Sequence, residues 1–77
     1  MQKEQNETKT MTYEEVQEAL QVIGGRFAAS DNMDLLVEIV ENTLGAGKKV
    51  SECTKKQMDA MMIILDDLYE KADELGI

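Results

Sequence analysis

Met11-Thr12-Tyr13-Glu14-Glu15-Val16 opens a helix by two reinforcing signs. Thr12 and Glu15 have the spacing of a capping box, in which a hydroxyl and a carboxylate each satisfy a backbone donor orphaned in the first turn. Met11 and Val16 stand where a hydrophobic staple sits. An apolar stripe follows at helical steps: Tyr13, Val16, Leu20, Ile23 and Phe27. The spacing predicts a helix from Tyr13 to about Ala29. Gly24-Gly25 interrupts it, at roughly 1–2 kcal/mol against two alanines. The glycines either kink or end the helix early, or let another helix approach closely.

The same signature recurs near the end of the chain. Thr54-Lys55-Lys56-Gln57 repeats the box, with Cys53 and Met58 as the staple pair. Met58, Met61, Leu65, Leu68, Ala72 and Leu75 form the stripe of a helix starting at Lys55. Gly76 takes the C-cap position and Ile77 can fold back near Ala72. So complete an ending implies that the domain stops here. Between these two helices, Ser30-Asp31 is a plainer cap for a helix from about Met33 to Leu44. Leu35, Leu36, Val37, Ile39, Val40 and Leu44 make that helix apolar on more than one face, so it should be the most buried. Gly45-Ala46-Gly47 stops it with a glycine suited to a left-handed C-cap. The prediction is an all-α protein: a small three-helix bundle over residues 11–77. Residues 1–10 are polar, without an apolar period, and read as a disordered tail or linker.

Seventy-seven residues make one domain with a modest core. The net charge of −8 argues against direct nucleic-acid binding, which needs clustered Lys and Arg. It suits a solvated surface, a basic protein partner or mimicry of DNA. The single cysteine, Cys53, can form no internal disulfide and has a packing position. With neither a signal peptide nor a long apolar run, a cytoplasmic protein with no membrane partner is expected.

Catalytic vocabulary is sparse. The chain has no His, and a lone Cys without a His partner is a poor nucleophile. The glycines lack phosphate-loop spacing. Asp31-Asn32-Met33-Asp34 lacks the glycine and terminal Glu of a calcium loop. Its likeness to an acyl-carrier site fails at Asn32, where the modified Ser would stand. No cofactor, no metal and no enzymatic activity are expected. Asp59, Asp66, Glu70 and Asp73 share one face of the last helix and read first as solvated, although late carboxylates oppose the helix dipole.

Lys48, Lys49, Lys55 and Lys56, set against Glu52, form one basic island of local charge +3 between segments carrying −6 and −5. Such an island is either a solvated loop or a site for an acidic peptide, to which N–H groups of the adjoining helix would add. Met58 and Met62 are candidate apolar neighbours of that ligand. The run Met61-Met62-Ile63-Ile64 exceeds one stripe. It is core, or it leaves a patch for another helix or a second copy of the chain, so a homodimer stays open.

The chain resembles the helical C-terminal domain of phage single-strand annealing proteins of the lambda Red beta type. The likeness spans about Glu14 to Ala72 and rests on Glu14-Glu15, Asp34-Leu35-Leu36 and Ser51-Glu52-Cys53-Thr54, whose spacing matches without a gap. The last helix is longer and more acidic than in that family, and Cys53 replaces a larger apolar residue. The resemblance implies a recruiting domain that binds a partner exonuclease and the acidic tail of a single-strand DNA-binding protein. Annealing would then lie in a separate N-terminal domain, and residues 1–10 would end the linker. The alternative expectation is a stand-alone acidic phage inhibitor that mimics DNA.

Overall fold

A computed structural model describes residues 11–77; the disordered tail expected over residues 1–10 lies outside the described residues. Three helices follow in order: α1 (Tyr13–Ala29), α2 (Met33–Leu44) and α3 (Met58–Leu75). Single 3-10 turns at Val50–Glu52 and Lys55–Gln57 connect α2 to α3. The described residues contain no strand. The protein is an all-α three-helix bundle.

The Thr12 box forms as its spacing requires. Thr12 N–H donates to Glu15 Oε1 at 2.9 Å, and Glu15 N–H donates to Thr12 Oγ1 at 3.1 Å. Helix α1 then runs without a break through Gly24 and Gly25. A Cβ on Gly24 would lie 4.0 Å from Leu36 Cδ1, an ordinary contact, and one on Gly25 would meet nothing within 4 Å. Neither glycine is demanded by sterics, and neither kinks the helix enough to end it.

Ser30-Asp31 closes α1 rather than opening α2. Asp31 N–H donates to the Ala28 carbonyl and Asn32 N–H to the Phe27 carbonyl, with Asp31 left-handed at φ 64°. That is a Schellman ending with Asp where glycine is usual. Ser30 Oγ donates back to the Arg26 carbonyl at 2.9 Å, so its hydroxyl is spent on the helix behind it. Asn32 takes the N-cap of α2 without a side-chain bond to the helix. Gly45 ends α2 at φ 111° and ψ 159°, a conformation essentially confined to glycine but outside the left-handed helical well. The Glu41 carboxylate accepts from Gly47 N–H at 2.9 Å and holds the turn shut. The last helix begins with a 3-10 turn over Lys55–Gln57, so its α-helical part starts at Met58. It ends in a second Schellman motif: Gly76 is left-handed, and Ile77 N–H donates to the Ala72 carbonyl at 3.0 Å.

Helix α3 is the central element. It contributes Met61, Ile64, Leu65, Leu68 and Ala72 to the core, opposite Val16, Leu20, Ile23 and Phe27 of α1. No polar or charged side chain is buried among the described residues. The expectation that α2 is the most buried helix is overturned: Val40 is its only buried residue. Its Met33 and Val37 are 43% and 45% exposed. The outer face of α2 meets no further element among the described residues. Ile64, expected beside the stripe, is fully buried, whereas Ile63 is exposed and Leu75 falls outside the core.

Candidate functional site

The four lysines of the basic island are all exposed, and among the described residues none makes an ion pair. The one ion pair there joins Lys71 to Glu74 at 3.1 Å, a surface i,i+3 contact. Lys48 and Lys49 follow the glycine turn, and Lys55 and Lys56 lie on the 3-10 turn before α3. Three backbone donors at that corner are already committed. Thr54 N–H donates to Gln57 Oε1, Gln57 N–H to the Thr54 carbonyl, and Met58 N–H to the Lys55 carbonyl. The lysine ammonium groups, more than an open helix end, are what this corner offers an anion.

Lys48 and Lys49 border an apolar groove of about 360 Å³ lined by Met33, Leu36, Val37, Val40 and Val50. This is the apolar surface next to the cations. The methionines expected in that role sit elsewhere: Met58 and Met62 are half-buried and pack against the core. Lys55 and Lys56 line neither this groove nor the smaller polar hollow that Lys48 and Lys49 share with Glu52 and Gln57. The structure thus pairs two of the four lysines with an apolar floor and leaves the other two on an open turn. Periodicity could not reveal the groove, because Val50 reaches it only after the chain reverses at Gly45–Gly47. The signal that was legible was the apolar excess of Met33–Leu44, which predicts burial and is in part an uncovered face.

A second hollow, about 380 Å³, continues from the first. The two share Leu36, Val40, Val50 and Ser51, and the second adds Leu20 and Gly24 with Gln17 and Gln21 at its rim. One end carries Lys48 and Lys49 together with Glu41, whose carboxylate accepts from Gly47 N–H, and the other carries neutral amides.

The remaining candidate chemistry is quiet. Burial pushes the Cys53 thiol above its ordinary pKa, and the Glu52 carboxylate beside it adds to the shift. Such a thiol is protonated at neutral pH and a weak nucleophile. Asp59, Asp66, Glu70 and Asp73 are all exposed on α3. Among the described residues no group of three or more His, Cys, Asp or Glu is placed to hold a metal ion. Nor is any described helix long and apolar enough to cross a membrane.

The chain is similar to the SPbeta prophage-derived uncharacterized protein YorG of Bacillus subtilis (strain 168), at 34% identity over 69 residues. The match covers 90% of this chain and 21% of that protein, so the chain spans about a fifth of its relative's length. No family model matches the chain, and no solved structure matches it.

Proposed function

We propose that this three-helix unit is a non-enzymatic docking domain of a phage DNA-recombination protein of the single-strand annealing kind. It recruits an acidic protein segment, such as the tail of a single-strand DNA-binding protein or a surface of a partner exonuclease. The observation that carries the reading is the set of four exposed lysines in a chain of net charge −8, none ion-paired among the described residues. The similarity to a prophage-derived protein supports the phage setting. The family resemblance between Glu14 and Ala72 supports the recombination role. The absence of His and the buried, protonated Cys53 leave little for nucleophilic or general-base chemistry.

The test is titration of the acidic tail peptide into the wild-type domain and into two double variants, Lys55→Glu/Lys56→Glu and Lys48→Glu/Lys49→Glu. Binding that weakens with added salt and falls in the variants is expected, because exposed cations act through screened attraction. Equal binding by all three proteins would remove the lysines from the site. Failure of the wild type to bind the peptide, with retention of a basic DNA-binding protein instead, would replace this reading with DNA mimicry.

A further inference from the structure

We infer that the trough along α2 is a seat for an amphipathic helix of a separate protein, carrying acidic residues on the flank that meets Lys48 and Lys49. The inference rests on the acidic-ligand reading above and specifies the ligand's form and direction. Its first observation is the pattern of uncovered apolar residues. Met33, Leu36, Val37 and Val40 follow one another at i, i+3, i+4 and i+7, the seam one helix presents to another. Leu36 and Val40 pack inward as the floor, whereas Met33 and Val37 are nearly half exposed, so among the described residues the outer side of that seam is uncovered.

The second observation is continuity. The two hollows share Leu36, Val40, Val50 and Ser51, so they adjoin one another, placed for successive anchors of a single helix. Grooves of this kind receive amphipathic helices by anchors at i, i+3, i+4 and i+7. The third observation is charge. Lys48 and Lys49 outnumber Glu41, which is tied to Gly47 N–H, at one end, and Gln17 and Gln21 stand at the other. The ligand's acidic residues therefore gather on the flank beside Lys48 and Lys49, and neutral residues face α1.

The probe is a designed helical peptide with Leu at i, i+3, i+4 and i+7 and Glu along one flank. Its controls are a scrambled peptide of identical composition and a version with Lys for Glu. Amide shift mapping and calorimetry would be run on the wild type, Val37→Glu and Lys48→Glu/Lys49→Glu. Val37 is exposed enough that the glutamate should leave the thermal midpoint nearly unchanged, which a melting curve verifies. The acidic helix should bind and shift amides of residues 33–40 and 47–51. Val37→Glu should weaken it roughly tenfold or more, because a charge on the groove wall is then covered by the ligand's apolar anchors. Equal binding of the scrambled peptide, or shifts confined to Lys55, Lys56 and α3, would overturn the groove. Lysine-dependent binding of an acidic peptide that ignores Val37→Glu would overturn it too, yet keep the acidic-ligand reading. Binding of the Lys version as tightly as the Glu version would overturn the assigned charge. Concentration-dependent sedimentation of the free domain, lost in Val37→Glu, would give the trough to a second copy instead.

Discussion

The Tyr13 hydroxyl donates to the Cys53 backbone carbonyl at 2.7 Å, across forty residues of chain. This bond ties the first residue of α1 to the segment that leads into α3. Gln17 Nε2 donates in turn to the Tyr13 oxygen at 3.1 Å, so the phenol acts as both donor and acceptor. Tyr13→Phe keeps the ring and deletes both bonds, leaving a part-buried carbonyl with one fewer donor. The expected loss is about 1 kcal/mol, the net worth of a neutral hydrogen bond, read as a lower denaturant midpoint at unchanged slope. An unchanged midpoint would mean that water replaces the phenol at no cost and that the α1–α3 connection is held by packing alone.

Asp31 is the only non-glycine residue at positive φ among the described residues. An L-residue pays for the left-handed well, and Asp pays less than most because its short side chain is tolerated there. Asp31→Gly removes that strain and also takes an anion away from the C-terminal end of α1, where the dipole disfavours it. A gain of about 0.5–1 kcal/mol is expected, visible as a higher thermal midpoint. A drop instead would show that Asp31 stabilises the neighbouring start of α2 by more than it costs α1.

Gly24 and Gly25 separate helix propensity from groove shape. Both lie inside α1, and neither has a close contact that a methyl group would violate. Alanine at either position should stabilise the protein by about 0.5–1 kcal/mol through helix propensity. Only Gly24 lines the trough, next to Leu36. Gly24→Ala should therefore also reduce binding of the amphipathic peptide, while Gly25→Ala should leave it alone. Parallel melting and peptide titration of the two variants would check both halves. Destabilisation by Gly24→Ala would mean that α1 and α2 approach more closely in solution than 4.0 Å to the added methyl.

These cases also show where the sequence was legible. The start of α1 and the stop of α2 follow from local chemistry, since a box at Thr12 and glycine at Gly45 act on their own neighbours. The core faces of α1 and α3 follow from one periodic stripe each. Even Ile64 had a signal, standing three residues after Met61 and four before Leu68. What local pattern could not decide was how many neighbours each helix has. An apolar surplus reads alike whether a fourth element covers it or nothing does, and at Met33 and Val37 no described element covers it. Ser30-Asp31 was ambiguous for a related reason: a residue between two helices can bond backward or forward, and Ser30 bonds backward. The lysines were legible as charge, but the groove under Lys48 and Lys49 depends on the reversal that brings Val50 against α2.

Cys53 provides a pH-dependent readout of the same corner. Its thiol is buried, and burial first, then Glu52, raises its pKa above the ordinary value of 9.0. The folded state thus keeps a proton that the unfolded chain releases from about pH 9.0 upward. By linkage, this contribution to stability is complete below that pH and is lost as pH rises through the folded-state pKa. Lysines and tyrosines titrate in the same range, so the comparison is between wild type and Cys53→Ala at each pH. The wild type's stability relative to Cys53→Ala should fall above pH 9.0 and stay constant below it. Thiol modification supplies a second measurement. At pH 8 a disulfide reagent should label Cys53 far more slowly in the folded protein than in denaturant, because the thiolate is the nucleophile and the sulfur is covered. Equal labelling rates, with no change in relative stability across the alkaline range, would show that the corner between Val50 and Thr54 opens freely. The Tyr13 bond to the Cys53 carbonyl would then not hold α1 to α3.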